Sequence, residues 1–550
     1  MKRLLLSIAC VCSVVLAMAQ TTAKDSITVP GAKIVKNEAV IDTNKVNIND
    51  RISPKTRKPL LKSGSTRRGN NPVVLLIGDS TVRNGWDADG SNGQWGWGEF
   101  FGALFDSTKI TIENHALGGT SSRTFYNNQW AAVKEGIQPG DFVLIQFGHN
   151  DGGPYDSGRA RASIPGIGHD SLQVTIKETG VHETVYSYGE YLRKFVAEIR
   201  AKGAFPIMLS FTPRNAWDGN GHIVRANTTY GKWAKQVAEA EKIPFVDLNS
   251  ITSAKFDAFG PDKVNEMFYA DRIHTSETGA KLNAASVAEA ILTQQLPLAK
   301  YLKNKPKDIR GTARKGNKPL VFVIGDSTVH NKDEKSSEDS WGWGSLLANF
   351  LEEKKVNVEN DAMAGRSSRT FIDEGRWDAV CAALKPGDFL FIQFGHNDGS
   401  AINTEKARGT IPGNADESKV YKMEPTKRNQ VVHSYGWYIR KYIRDARLKG
   451  AVPVIVSPVP RDRWKDGKVE RNDDSYGKWA KDAAEMEGAF FIDVNKLVAD
   501  KLDAMGHDEA TKLFMPDHTH TKYQGALLNA QTIIEGMKSL SELRLSKYVK

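Results

Sequence analysis

The stretch VVLLIGDSTV, residues 73–82, comes back as LVFVIGDSTV, residues 320–329. Each copy opens with an unbroken apolar run, the pattern of a strand buried on both faces of a parallel sheet. Each run then ends on Gly-Asp-Ser-Thr. A serine at the carboxyl end of a buried strand can act as a nucleophile, or it can cap the helical segment that follows. Which of the two it does decides what the sheet is for.

Outward from this stretch the whole neighbourhood repeats. IENHALGGTSSRTF (112–125) matches VENDAMAGRSSRTF (358–371), and PGDFVLIQFGHNDGG (139–153) matches PGDFLFIQFGHNDGS (386–400). YSYGEYLRKFVAEIRAKG (186–203) matches HSYGWYIRKYIRDARLKG (433–450), and YGKWAKQVAEAEKIPFVDLN (230–249) matches YGKWAKDAAEMEGAFFIDVN (476–495). The offset is nearly constant, so this is a duplicated domain and not a solenoid of short repeats. The expected domains are 71–300 and 319–550, joined by a linker at 301–318 and preceded by a polar stretch at 20–70 that has neither strand nor helix period.

Inside each copy, strands and helices alternate. Val73–Ile77, Ile110–Asn114, Phe142–Phe147, Ile207–Phe211 and Phe245–Leu248 read as buried strands. Tyr188, Tyr191, Leu192, Phe195, Val196 and Ile199 fall on one helical stripe, the ordinary signature of core packing. The pattern predicts two tandem three-layer α/β/α domains of flavodoxin type, each built on a five-stranded parallel sheet. Sites in such sheets lie at the carboxyl ends of the strands.

Composition bounds the partners. With 75 Lys and Arg against 65 Asp and Glu the formal net charge is +10, but the basic residues are scattered. No arginine-rich run, zinc spacing or helix-turn-helix pattern accompanies them, so nucleic acid is not an expected partner. A mild positive balance suits an acidic polymer, and equally a solvated surface. Residues 1–19, with Lys2-Arg3, an apolar run and Ala17-Met18-Ala19, read as a secretory signal peptide, which places the protein in the periplasm or outside the cell. A lipoprotein signal at Cys10 is the weaker reading, because the apolar run continues past that cysteine. Cys10 and Cys12 would leave with the leader, so the mature chain would keep Cys381 and no internal disulfide. No later segment has enough consecutive apolar residues to cross a bilayer. The oligomeric state is not legible.

Four short motifs carry candidate chemistry, and each has a dull reading when taken alone. Ser80 and Ser327 could be N-caps. Gly119 and Gly365, after the second strand, offer a bare backbone N–H to an oxyanion, or merely make a turn. Asn150 and Asn397, after the third strand, could aim an amide at the same point, or cap their loop. Asp271 and His274, like Asp517 and His520, stand three residues apart, a spacing that lets the carboxylate bond one imidazole nitrogen while the other faces a serine. A metal pair would need a further ligand cluster, which is not visible, and a surface Asp–His pair remains open.

Ser, Gly, Asn and Asp-x-x-His nevertheless occur in that order, at strand ends, twice. The set resembles the SGNH, or GDSL-type, hydrolases over nearly all of residues 71–550. GDSTV, NDAMAGRSSRTF, QFGHNDG and DHTHT, with RASIPG (161–166) and RGTIPG (408–413), are similar to the rhamnogalacturonan acetylesterase branch, carbohydrate esterase family twelve. The resemblance implies Ser80 and Ser327 as nucleophiles, His274 and His520 as bases, and Asp271 and Asp517 as the carboxylates that orient them. It implies oxyanion holes of Ser80, Gly119 and Asn150 in one copy and Ser327, Gly365 and Asn397 in the other. It implies no metal and no organic cofactor. The expected partner is an acetylated, acidic plant cell-wall polysaccharide or oligosaccharide, with Arg159, Arg161, Lys406 and Arg408 as candidate rim cations. The alternatives are a related esterase acting on xylan or another acyl ester, and a glycan-binding pseudoenzyme. The first copy has His115, Gly118 and Thr120 where the second has Asp361, Ala364 and Arg366, which leaves its substrate preference open.

Overall fold

The computed structural model describes residues 60–85, 87–303, 310–330 and 340–550; the leader at 1–19, most of the stretch at 20–70 and residues 304–309 of the linker lie outside them. The chain divides into two compact units: residues up to Arg83 with Gly96–Tyr301, and Asn84–Trp95 with Leu302–Lys550.

The strands of the first unit are β1 (Val73–Gly78), β2 (Thr111–Asn114), β3 (Phe142–Gln146), β4 (Ser171–Thr175), β5 (His182–Tyr186), β6 (Phe205–Leu209) and β7 (Phe245–Val246). Five of them form one parallel sheet in the order β2-β1-β3-β6-β7. The second unit repeats the arrangement with β8 (Leu320–Gly325), β9 (Asn357–Asn360), β10 (Phe389–Gln393), β11 (Ser418–Lys422), β12 (Asn429–His433), β13 (Val452–Val456), the short pair β14 (Trp464–Lys465) and β15 (Lys468–Val469), and β16 (Phe490–Ile492). Its sheet runs β9-β8-β10-β13-β16, again parallel. The expected pair of five-stranded α/β domains is what the chain forms.

Every residue of β1 and of β8 is buried, which is why both read as unbroken apolar runs. The helix Tyr188–Ala201 buries the stripe Tyr188, Tyr191, Leu192, Phe195, Val196 and Ile199 on the sheet. Ser187 caps it by accepting from Glu190 N–H, and Ser434 does the same for Tyr435–Leu448. Two strand readings shift by two residues, the others by one. The fourth strand starts at Phe205, two positions early, and β7 stops at Val246 because Asp247 turns away to cap the helix Leu248–Phe259.

Two features were not read from the sequence. The antiparallel pairs β4–β5 and β11–β12 are hairpins inserted after the third strand of each sheet. A strap also precedes each first strand. Glu113 accepts from Gly64 and Thr66 N–H at 2.8 Å, and Arg67 grips buried Asp141 with both terminal nitrogens at 2.8 and 2.7 Å. In the second unit Glu359 and Asp388 hold Gly311, Ala313 and Arg314 in the same way. Each module therefore reaches back beyond its first strand.

Candidate active site

Gly78 ends β1 at a point where a Cβ would stand 2.6 Å from both the Gln146 carbonyl oxygen and Val82 Cγ2, so only glycine lets the chain turn here against β3. The chain after Ser80 makes a turn, not the helical entrance expected from the sequence; Val82 and Arg83 N–H both bond the Asp79 carbonyl at 3.1 Å. The side chain that caps this turn is Asp79, whose Oδ1 accepts from Thr81 N–H at 2.9 Å and Thr81 Oγ1 at 2.8 Å. Because Asp79 does the capping, the Ser80 hydroxyl is left for another partner.

That partner is His274. Its Nε2 lies 2.9 Å from Ser80 Oγ, and its Nδ1 lies 2.6 Å from Asp271 Oδ2. Asp271 is itself fixed, since its Oδ1 accepts from the backbone N–H of Ile273 (2.8 Å) and His274 (2.7 Å). Burial pushes the Asp271 carboxyl up, but these hydrogen bonds and the His274 ring outweigh it and hold the group below the ordinary carboxylate value. The second copy repeats the relay, with His520 Nε2 at 2.7 Å from Ser327 Oγ and His520 Nδ1 at 2.5 Å from Asp517 Oδ2. Burial again raises Asp517 and the bonds from His520 and Thr519 win.

Gly119 follows β2 in the left-handed region, φ +83°, and Gly365 matches it at +79°. Their loops hang from the nucleophile strand, through Leu117 N–H on the Gly78 carbonyl and Met363 N–H on the Gly325 carbonyl, both 3.0 Å. Asn150 Nδ2 donates to the Thr120 carbonyl at 2.9 Å, and Asn397 Nδ2 to the Arg366 carbonyl at 2.8 Å. One amide hydrogen thus fixes each asparagine against the glycine loop, and an amide carries two.

Several residues that hold this arrangement were not singled out from the sequence. Trp97 Nε1 donates to Gln146 Oε1 (2.8 Å) and Gln146 Nε2 to Thr81 Oγ1 (2.7 Å), a buried chain that ends on the nucleophile turn. Trp343, Gln393 and Thr328 form its twin at the same distances. Asp151, next to Asn150, accepts from Ser122 N–H (3.1 Å), from the Ser122 hydroxyl and from Ser163 Oγ (3.1 Å), so it ties together the loops after β2 and β3. Burial pushes Asp151, and Asp398 in the second copy, up to about 7 against those bonds. Their strict repetition in both copies was the signal that could have found them.

The expected rim cations divide. Arg161 Nη1 donates to the Gly119 carbonyl at 3.0 Å, and Arg408 Nη1 to the Gly365 carbonyl at 3.1 Å. Burial pushes Arg161 down to about 10. These two guanidinium groups brace the glycine loops, whereas Lys406 is exposed. Arg159 sits against Gly119, where a Cβ would meet its Nη2.

The two copies differ behind the nucleophile. His396 Nε2 faces the Val459 carbonyl (3.0 Å) and Nδ1 faces Asp326 Oδ2 (3.2 Å). Burial raises Asp326, yet the His396 charge and hydrogen bond carry it below its ordinary value. In the first copy Thr212 replaces Val459, and its hydroxyl takes His149 Nε2 at 3.1 Å. His149 Nδ1 and Asp79 Oδ2 are then buried with no hydrogen-bond partner among the described residues. Burial leaves Asp79 raised and His149 well below its ordinary value. By contrast His115 and Asp361, the departures noted in the sequence, belong to the straps: His115 bonds Glu113 at 2.8 Å and Asp361 pairs with Arg310 at 3.0 Å. Among the described residues no group of three or more His, Cys, Asp or Glu side chains is placed to hold a metal ion, and no helix is long and apolar enough to cross a membrane.

Comparison with known proteins gives the same picture twice. The model of the GDSL-like Lipase/Acylhydrolase family matches residues 76–282 and again 323–526. A rhamnogalacturonan acetylesterase of Bacillus subtilis is 33% identical over 245 residues, 42% of this chain and 93% of that protein. One from Emericella nidulans is 29% identical over 221 residues, 40% of this chain and 84% of that protein. Among solved structures, an acetyl-xylooligosaccharide esterase of Geobacillus stearothermophilus is 18% identical with a TM-score of 0.28, covering 40% of this chain and 93% of that one.

Proposed function

We propose, from the premise that the chain belongs to the GDSL-like lipase/acylhydrolase family, that each of its modules is a serine esterase that removes O-acetyl groups from a plant cell-wall polysaccharide, rhamnogalacturonan before xylan. The observation that carries this reading is the Ser–His–Asp relay, 2.9 and 2.6 Å in one module and 2.7 and 2.5 Å in the other, each beside a glycine loop and a fixed asparagine.

The chemistry follows from those atoms. His274 Nε2 takes the Ser80 proton as Oγ attacks the ester carbonyl carbon, and the carbonyl electron pair moves onto oxygen. The N–H groups of Ser80 and Gly119 and the second amide hydrogen of Asn150 meet that oxyanion, aimed beforehand by the turn, the Arg161 brace and the Thr120 carbonyl. Collapse expels the sugar alkoxide, which takes the proton from His274, and leaves acetyl on Ser80. Water, deprotonated by His274, then releases acetate and restores the hydroxyl. Asp271, ionised by its hydrogen bonds, holds the ring in the tautomer with Nδ1–H and stabilises the imidazolium formed in both steps. Ser327, His520, Asp517, Gly365 and Asn397 take the same roles in the second module.

The relatives named rhamnogalacturonan acetylesterase favour that substrate, and export directed by residues 1–19 accords with a polymer outside the cytoplasm. Acetate release from acetylated rhamnogalacturonan and acetylated xylan, compared with a Ser80→Ala/Ser327→Ala chain, tests both levels. Release from the pectin by the wild type alone is expected. Faster release from xylan would overturn the substrate, and equal release by the double variant would overturn the serine mechanism.

A further inference from the structure

We propose that the second module carries another ligand site, a basic cleft at the opposite end of its sheet from Ser327, which binds a carboxylate-bearing oligosaccharide. The cleft has a volume of about 720 Å³ and is lined by the residues that begin β10, β13 and β16, namely Phe389, Val452 and Phe490. Ser327 follows the far end of β8, and six residues of strand span about 20 Å. The cleft is therefore remote from the triad of its own module.

Its charge is one-sided. Lys318, Lys385, Arg544 and Lys547 line it, together with Arg314. Of the two acids present, Asp388 is already neutralised by Arg314 at 2.5 Å, which leaves Glu542. Lys385, Arg544 and Lys547 are exposed, and among the described residues none of the three has a carboxylate within ion-pair distance. Lys385 and Arg544 thus present, from two separate segments, cations without a carboxylate partner to one concavity, while Lys318 Nζ donates to the Glu353 carbonyl at 3.0 Å and Lys547 Nζ lies 5.6 Å from the centre of the Tyr548 ring.

The first module serves as an internal control. Aligned through the repeat, Asn71, Gln138 and Pro297 stand where the second module has Lys318, Lys385 and Arg544. Phe205, half exposed, stands where the second has Val452, and its ring stacks on Phe142 at 5.3 Å. Three gained cations and one aromatic ring lost at one spot are more than a generally solvated surface requires. Partly exposed Phe490 and Tyr548 with Pro386 offer apolar surface to the C–H face of a pyranose, and cations at the rim suit carboxylates spaced along a chain. The choice of glycan rests on the proposed function; the site itself does not.

The test is calorimetric titration of the full chain with an unacetylated galacturonate oligosaccharide, comparing wild type with Lys385→Glu/Arg544→Glu. The wild type is expected to bind with an affinity that falls as salt is added, and the variant to bind at least about tenfold more weakly, a difference of about 1.4 kcal/mol. Turnover of p-nitrophenyl acetate should be equal in the two, which shows that the variant folds. Equal affinity of both chains would overturn the site. Equally tight binding of a neutral xylo-oligosaccharide, or displacement of the oligosaccharide by inorganic phosphate at matching concentration, would overturn the carboxylate-glycan assignment. Failure of the chain to deacetylate pectin would refute the proposed function without changing any of these readouts.

Discussion

At the scale of single residues, the site depends on which group does which job in the GDS turn. Asp79 caps the turn through Thr81, so Ser80 is free to meet His274. The oxyanion side is testable in a chain where Ser327→Ala leaves the first module alone. There Asn150→Ala is expected to lower kcat by about 10²–10³ while the fold persists, the usual effect of removing one oxyanion donor. A loss below about threefold would mean that Asn150 only ties down the Thr120 carbonyl. The pair behind the nucleophile separates the two copies by pH. Burial raises Asp79, whereas His396 carries Asp326 below its ordinary value against the same burial. A raised carboxyl takes up its proton at higher pH on acidification, and its loss of charge removes support for the nearby His274 imidazolium. The first module, isolated as Ser327→Ala, should therefore lose kcat/KM on p-nitrophenyl acetate at a higher pH on the acid side than the second, isolated as Ser80→Ala. Superimposable acid limbs would contradict the assignment of Thr212 and Val459 as the source of the difference.

At the scale of elements, the strands that carry the site were legible because burial on both faces leaves an unbroken apolar run, as in β1 and β8. The relay was legible because Asp271 and His274 lie within one turn and bring their spacing with them. What stayed hidden is held by contacts distant in sequence. The exposed hairpin β4–β5 has alternating polarity between Ser171 and Thr175, but no core contact made it stand out. It is fixed from below by Arg123 of the SSRTF motif, fully buried, which pairs with Glu183 through Nε (2.7 Å) and Nη2 (2.9 Å) and donates to the Tyr155 and Ala162 carbonyls, both at 2.9 Å. Arg369 holds the twin loop through the Ile402 and Ala407 carbonyls. Arg161 stands in the sequence only as a candidate rim cation, because a sequence does not show that its guanidinium reaches Gly119. Arg123→Met, again with Ser327→Ala, should lower the denaturant stability of the first module by at least about 2 kcal/mol, since two carbonyls and a carboxylate lose their donor. It should also raise KM on the polymer more than on p-nitrophenyl acetate. An unchanged unfolding midpoint would show that the hairpin does not depend on this arginine.

At the scale of the whole molecule, duplication has kept one chemistry and altered its surroundings. Both relays, both glycine loops and both strap contacts recur, while the charge behind the serine and the cleft below the second sheet differ. A pseudoenzyme half would be expected to lose some member of its relay first, and neither half has done so. The central claim is that each module carries a complete and independent esterase site. Its most direct test is the initial rate on p-nitrophenyl acetate of Ser80→Ala, Ser327→Ala and the double variant. The account predicts that each single variant keeps a measurable rate, that the two residual rates add to that of the wild type, and that the double variant falls to background. Complete loss of turnover in either single variant would contradict it.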